Sequence, residues 1–136
     1  MNEWPKIIGE RIAASPLSSQ LSFSTISAEP DKVVMSMPFR HEHTTMADQV
    51  HGGAIAALID TVATAAAWSG VDPNNPPSRG TTVNLEVSYM AAARAVDLIA
   101  TGTVPKRGSS ICFCHVDVHD PDGKLIAQGR AVYKIG

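Results

Sequence analysis

The sequence lacks several features that mark common classes of protein. It has only two cysteines, Cys112 and Cys114, which stand one residue apart in a predicted strand, so their side chains are parallel neighbours and not a well-placed disulfide pair. It has no run of like charges, and its 11 basic and 13 acidic residues give a net charge of −2. Without a basic patch, we expect no nucleic-acid partner.

Signals for export and membrane insertion are also missing. The first 20 residues contain early polar residues, charges and proline but no uninterrupted apolar run, which is not typical of a signal peptide or anchor. In the most apolar stretch, Val50–Trp68, seven of the 13 apolar residues are the weakly apolar alanine, and the stretch contains Asp60, so we predict no membrane span. We expect a cytoplasmic protein with reduced thiols, and a chain of 136 residues predicts one domain, residues 1–136.

Several catalytic and cofactor-binding motifs are absent from the sequence. It contains no G-x-S-x-G elbow, no phosphate-binding P-loop and no G-x-G-x-x-G dinucleotide motif. The histidines His41, His43 and His51, together with Glu42, do not follow the ligand spacing of zinc sites. We therefore predict no metal and no cofactor.

The most distinctive feature that is present is the stretch Val50–Trp68. Drawn as a helix, it has apolar residues on every side, which predicts a buried helix over about residues 50–69. Asp60 lies in the middle of this stretch, and His51-Gly52-Gly53 stand at its start. Because ionised carboxylates are rarely left in apolar surroundings without a reason, Asp60 and the helix start are the first candidates for chemistry.

The spacing of apolar residues predicts the other elements. A helical period from Trp4 to Ile12, closed by Pro16, predicts a short N-terminal helix. Alternation predicts strands near residues 21–25, 33–37, 80–90, 96–105, 109–119 and 124–135. Strands joined by short turns form an antiparallel sheet. We predict an α+β fold in which a sheet of five to six strands wraps around the long helix. We also predict a dimer, in which the second subunit covers the apolar surface of the helix that one sheet leaves exposed.

The strand at residues 80–90 shows the clearest alternation. One predicted face carries Val83, Leu85, Val87 and Tyr89, and the other carries Thr82, Asn84, Glu86 and Ser88. The second face is polar, so we expect its carboxylate, Glu86, to face solvent or an interface.

The helix start has the chemistry of an oxyanion hole. Its first N–H groups have no partner within the helix, and the helix dipole adds roughly half a positive charge there. Gly52 and Gly53 would let a ligand approach this backbone, although glycines also serve close packing of a helix start. For Asp60 the alternative is a structural carboxylate held by hydroxyls such as Thr61 or Thr64.

Three segments occur in a characteristic order: Val50-His51-Gly52-Gly53 with Leu58-Ile59-Asp60, then Val87-Ser88-Tyr89-Met90, and finally Gly123–Gly129. Together they resemble the phenylacetate-pathway (PaaI-like) type of hotdog acyl-CoA thioesterases. The resemblance runs from the loop before the helix to the C-terminus. It implies the hotdog fold and hydrolysis of an acyl-CoA thioester without a metal or a covalent serine.

The resemblance also implies roles for individual residues. The family's helix carboxylate, a general base or nucleophile, corresponds to Asp60. The amide that polarises the thioester carbonyl corresponds to Gly52, and His51 helps to hold that end. A hydroxyl on the strand after the helix assists the water or the carboxylate, and Thr82 stands at that position.

Other positions are expected to bind substrate. The family often has asparagine six residues before the histidine, where this chain has Thr45, and we expect Thr45 or Gln49 to replace it. Tyr89 is also predicted to contact substrate. The phosphates of CoA require cations and backbone amides, and the turn Lys106-Arg107-Gly108-Ser109 is the best local candidate, although it is equally typical of a solvated hairpin.

The spacing of Gly52 and Asp60 predicts a site shared between subunits. Eight residues along a helix span about 12 Å, whereas reacting atoms must approach to about 3–3.5 Å. Gly52 therefore cannot readily work with Asp60 of the same chain. Two antiparallel helices across a twofold axis would bring each helix start to the partner's carboxylate. We predict two composite sites per homodimer, and a dimer of dimers as the larger assembly.

Two other functions remain open at this point. The first is a hotdog-fold hydratase or dehydratase that uses His51 with a carboxylate, although Asp48 lies only three residues before His51 and does not match the longer spacing of such enzymes. The second is a non-catalytic module that binds acyl-CoA. Release of free thiol from an acyl-CoA distinguishes a hydrolase from both.

Overall fold

The computed structural model describes residues 2–136. Its elements are α1 (Trp4–Ala13), α2 (Pro16–Gln20), β1 (Ser24–Glu29), β2 (Lys32–Met37), a 3-10 turn (His41–His43), α3 (Gly52–Ser69), β3 (Gly80–Tyr89), β4 (Leu98–Arg107), β5 (Ile111–His119) and β6 (Leu125–Ile135). The predicted α+β fold with one long helix and six strands is confirmed, and α2 is an addition to it.

The N-terminal region differs from the prediction at two points. Pro16 begins α2 and does not simply close α1, because the first position of a helix needs no N–H donor and suits the fixed φ of proline. The predicted first strand began at Leu21, but Ser22 has a φ of 60° and the Phe23 N–H donates to the Ser18 carbonyl. This turn delays β1 until Ser24.

The six strands form one antiparallel sheet in the order β1-β2-β4-β5-β6-β3, so β1 and β3 are its edges. The sheet curls around α3, whose Leu58, Ile59 and Val62 are fully buried. Gly102 allows this close approach, since a Cβ there would lie 2.6 Å from Val62 Cγ1. This arrangement is the hotdog fold.

The helix α3 is buried on the side that faces the sheet. Ten of its 18 residues are buried, but a stripe is only partly covered and contains Ala56, Ala57, Asp60, Thr61, Thr64 and Trp68. The expectation of burial on every side is therefore not met within one chain. Helix α3 is long and apolar enough to cross a membrane, but the buried core helix of a folded domain has the same length and composition.

The strand β3 does not follow the predicted alternation. Its register with β6 shifts between Thr82 and Asn84, and the extra residue, Val83, is 60% exposed. Such a bulge turns the residues on one side of it to the other face. Thr82 therefore pairs with the buried Tyr133 and faces α3, together with Leu85, Val87 and Tyr89. The prediction from alternation that Thr82 shares a face with Asn84, Glu86 and Ser88 is therefore wrong.

Candidate active site

The start of α3 leaves one N–H group free. His51 is the N-cap, and its Nδ1 accepts a hydrogen bond of 2.7 Å from the Gly53 N–H. The His51 carbonyl accepts from the N–H groups of Ala54 and Ile55, at 3.0 and 3.2 Å. Within residues 2–136, no group accepts a hydrogen bond from the Gly52 N–H. This donor lies at the positive end of the helix dipole.

The two glycines at the helix start have different reasons to be glycine. A Cβ on Gly53 would lie 2.9 Å from the His51 ring, so packing of the cap requires Gly53. A Cβ on Gly52 would meet the Tyr89 ring at 3.4–3.5 Å, which is ordinary contact. Packing therefore explains Gly53 and does not require Gly52, and Gly52 remains the candidate for ligand approach.

Asp60 is held by the hydroxyl of Thr82. Thr82 Oγ1 donates to Asp60 Oδ1 at 2.7 Å, and the carboxylate is only partly buried. Thr61, one of the hydroxyls expected to hold Asp60, instead donates to the Ala57 carbonyl at 2.7 Å. No side chain of the described chain donates to Asp60 Oδ2. One carboxylate oxygen is therefore oriented, and the other is available to a water or a substrate.

An open groove of about 500 Å³ lies beside the helix start. It is lined by residues 49–53, Ile55 and residues 89–93. Gln49 lines this groove, whereas the exposed Thr45 does not, so Gln49 is the better placed of the two expected replacements for the family's asparagine. Asp60 is also absent from the lining. One chain thus carries two separate groups: Gly52 with its groove, and Asp60 with Thr82.

Tyr89 contacts the helix start directly. Its hydroxyl donates to the Gly52 carbonyl at 2.6 Å, and its side chain is about half exposed at the edge of the groove. His43, which the sequence did not single out for this purpose, also supports the helix start. Its carbonyl accepts from the His51 N–H at 2.7 Å, and its buried Nδ1 lies 3.1 Å from the Pro38 carbonyl.

The predicted phosphate-binding turn divides into exposed and inward-facing residues. Lys106, Gly108 and Ser109 are exposed. Arg107 instead points to the end of α3, where its guanidinium donates to Asp31 at 2.6 and 3.1 Å and to the Ala67 carbonyl at 2.8 Å. This cation stabilises the C-terminus of the helix. The Arg107 charge is therefore already paired with a carboxylate of its own chain.

The two cysteines are unsuited to act as nucleophiles. Burial raises the pKa of Cys112, and burial raises the pKa of Cys114 to about 12. Both thiols therefore stay protonated near neutral pH. Within residues 2–136, no three His, Cys, Asp or Glu side chains are grouped in a way that could hold a metal ion.

The family model of the thioesterase superfamily matches residues 48–127 of the chain. These residues include Gly52, Asp60, Thr82 and Tyr89. The chain belongs to the thioesterase superfamily. It has the hotdog fold and is a thioester hydrolase, which confirms the predicted superfamily and enzyme class.

Individual relatives agree with this assignment. The chain is 34% identical to acyl-coenzyme A thioesterase 13 of Homo sapiens over 113 residues, which cover 82% of this chain and 78% of the relative. The crystal structure of zebra fish thioesterase superfamily member 2 is 36% identical, with a TM-score of 0.82 over 96% of this chain and 95% of that one. The PaaI protein of E. coli shares the fold, with a TM-score of 0.87 at 15% identity and coverage of 98% and 94%.

Proposed function

We propose that the protein hydrolyses acyl-CoA thioesters to the free acid and CoA. The observation that carries the proposal is the hydrogen bond of 2.7 Å from Thr82 to Asp60, which orients a partly exposed carboxylate on the central helix. The free Gly52 N–H supplies the second group that thioester hydrolysis needs. The name of the human relative, an acyl-coenzyme A thioesterase, supports CoA as the thiol.

In the proposed reaction, Asp60 acts as general base. Asp60 Oδ2 takes a proton from a water while the water oxygen attacks the thioester carbon. The Gly52 N–H stabilises the negative charge that develops on the carbonyl oxygen. The C–S bond then breaks, the CoA thiolate leaves, and the proton held by Asp60 passes to the thiolate. His51 keeps the Gly53 N–H occupied, so that only the Gly52 N–H of this pair is offered to the substrate.

The proposed site combines Gly52 of one subunit with Asp60 of the other. Along α3 the two residues are about 12 Å apart, which is too far for one carbonyl carbon to be reached by both groups. The edge strand β3 and the partly covered stripe on α3 provide a surface for a second copy of the chain. We propose that the helices meet across a twofold axis, giving two equivalent sites.

We propose that the turn after β4 binds the phosphates of CoA. Lys106, Gly108 and Ser109 are exposed and available for this role, whereas Arg107 supports the turn through Asp31. Within one chain this turn lies near Gly70, at the C-terminal end of α3. Gly52 lies at the opposite end of the helix.

Thiol release from a panel of aromatic and aliphatic acyl-CoAs tests the proposed function. We expect release with the wild-type protein, loss of release with Asp60→Asn, and retention with Glu86→Gln, which alters the exposed carboxylate on the outer face of β3. Binding of acyl-CoA without thiol release from any of them would contradict the proposal. A single turnover in ¹⁸O-water distinguishes a base from a nucleophile, because only a nucleophilic Asp60 can pass its own oxygen to the acid.

A further inference from the structure

The peptide unit that follows Gly52 is held from both sides. Its carbonyl, that of Gly52, accepts from the Tyr89 hydroxyl at 2.6 Å. Its N–H, that of Gly53, donates to His51 Nδ1 at 2.7 Å. The peptide unit before Gly52 contains the Gly52 N–H, and its carbonyl, that of His51, accepts from the N–H groups of Ala54 and Ile55 within the helix.

This pair of hydrogen bonds acts where the backbone is otherwise least constrained. Two consecutive glycines have more conformational freedom than any other pair, and the first turn of a helix has few internal hydrogen bonds. The Gly52 N–H lies in the plane of the peptide unit before Gly52, and the two torsion angles of Gly52 set how this unit is oriented relative to the peptide unit after it. Only the unit after Gly52 is tied to the sheet, and Tyr89 makes that tie.

The position of Tyr89 comes from β3 and β6. Tyr89 pairs with Ala127, and the next residue, Met90, donates its N–H to the Ile126 carbonyl at 2.8 Å. The same face of β3 carries Thr82, which orients Asp60. The strand β3 therefore contacts both catalytic groups of its own chain: Thr82 contacts Asp60 in the middle of α3, and Tyr89 contacts Gly52 at its start.

We propose that Tyr89 is a positioning residue for the oxyanion donor and not a contact of the acyl group or of CoA. By fixing the Gly52 carbonyl, the Tyr89 hydroxyl keeps the Gly52 N–H directed at the thioester oxygen as negative charge develops on it. The inference rests on the proposed function of Gly52. A group that acts in this way affects the transition state more than the bound substrate, so its removal lowers kcat and leaves KM nearly unchanged.

The kinetic test uses Tyr89→Phe, which removes one hydroxyl and keeps the ring. We expect kcat to fall about tenfold, the effect of one net hydrogen bond, with KM changed less than about twofold. The matched control is Ser88→Ala, which removes a hydroxyl from the neighbouring residue on the outer face of the sheet. Its kinetics should match the wild type. A raised KM at unchanged kcat would assign Tyr89 to substrate contact and overturn the proposal.

A second measurement does not depend on activity. In protein labelled with ¹⁵N-glycine, we expect the Gly53 amide to exchange with solvent about five- to tenfold faster in Tyr89→Phe, because the peptide unit has lost one of its two ties. Ser88→Ala should leave this rate unchanged. An unchanged rate in Tyr89→Phe would overturn the proposal, even if acyl-CoA hydrolysis is observed. A faster rate together with no hydrolysis of any acyl-CoA by the wild type would instead reject the proposed function.

Discussion

The Thr82 hydroxyl donates a hydrogen bond of 2.7 Å to Asp60 Oδ1, linking the edge strand β3 to the central helix. This contact depends on the bulge at Val83, which turns Thr82 toward α3. It gives Asp60 a fixed partner and leaves its second oxygen available. Four predictions rest on this contact and on the two ends of α3, and a fifth concerns the buried thiol of Cys114 in β5.

Replacing Thr82 tests whether its hydroxyl serves catalysis. Thr82→Val keeps the shape and removes the hydrogen bond to the carboxylate, a bond type worth about 1.5–3 kcal/mol, so we expect kcat to fall roughly 10- to 100-fold. Thr82→Ser keeps the hydroxyl and should retain most of the activity. Steady-state kinetics of the two variants measure the difference. Equal activity in both would show that the hydroxyl has no part in the reaction.

Gly52→Pro removes the proposed oxyanion donor with little change in backbone. Proline suits the first position of a helix, and His51, at φ −62° and ψ 130°, already has the conformation favoured before proline. We expect hydrolysis to fall by about 10²–10³. Gly52→Ala adds a side chain but keeps the N–H, so the ratio of the two rates reports on the donor itself. Similar rates in both variants would remove Gly52 N–H from the mechanism.

Mixed subunits test the composite site. A dimer of one Asp60→Asn chain and one Gly52→Pro chain, purified through two different tags, contains one intact and one doubly altered site if the sites are shared. We expect about half of the wild-type activity from it, although each variant alone is inactive. If each chain used its own Gly52 and Asp60, the mixed dimer would be as inactive as its parents.

Arg107 is predicted to support stability. Arg107→Lys keeps the charge but cannot reach Asp31 and the helix carbonyls together, so we expect the free energy of unfolding to fall by about 1–3 kcal/mol. Urea denaturation measures this change. The exposed neighbour gives the control, since Lys106→Gln should alter stability by less than about 0.5 kcal/mol. If the turn binds the phosphates of CoA, Lys106→Gln will raise the KM for acyl-CoA while stability stays nearly unchanged. Unchanged stability in Arg107→Lys would contradict the role given to Arg107.

Because the thiol of Cys114 is buried, we expect the free energy of unfolding to fall at alkaline pH. Burial raises its pKa from the usual 9.0 to about 12, so the unfolded chain loses this proton more readily than the folded chain. The contribution of this thiol to the free energy of unfolding is fully present below about pH 9 and is lost as the pH rises toward 12. Urea denaturation at pH 8 and pH 10 should show a decline that is smaller in Cys114→Ala. An equal decline in both proteins would refute this assignment.

The local pattern of the sequence was sufficient for the elements of the fold. The apolar stretch around Asp60 predicted α3, and the structure begins it at Gly52 with His51 as the cap. The short connection between the strands predicted at residues 109–119 and 124–135 indicated the hairpin between β5 and β6, where Gly123 has a φ of +87°. Periodicity and turn chemistry act over a few residues, so they can be recognised without knowing what packs against them.

The side chains that contact the site residues could not be predicted from the local sequence pattern. Strict alternation placed Thr82 on the same face as Glu86, and only the register with β6 reveals the bulge that turns Thr82 toward Asp60. The sequence predicted Arg107 as an exposed ligand of phosphate. In the structure, Arg107 forms an ion pair with Asp31 in the turn between β1 and β2. Pairing register and contacts between distant segments are set by the whole fold.

By itself, the sequence determined the long helix, its capped glycine start, its single carboxylate and the spacing that separates them. These depend on residue type and on the rise of a helix, which are local properties. The tertiary structure decided which side chains hold those groups: Thr82 for Asp60, Tyr89 for the Gly52 carbonyl, and Arg107 for the end of α3. Each contact joins residues 22 to 40 positions apart, and only the curl of the sheet around α3 brings them within hydrogen-bonding distance.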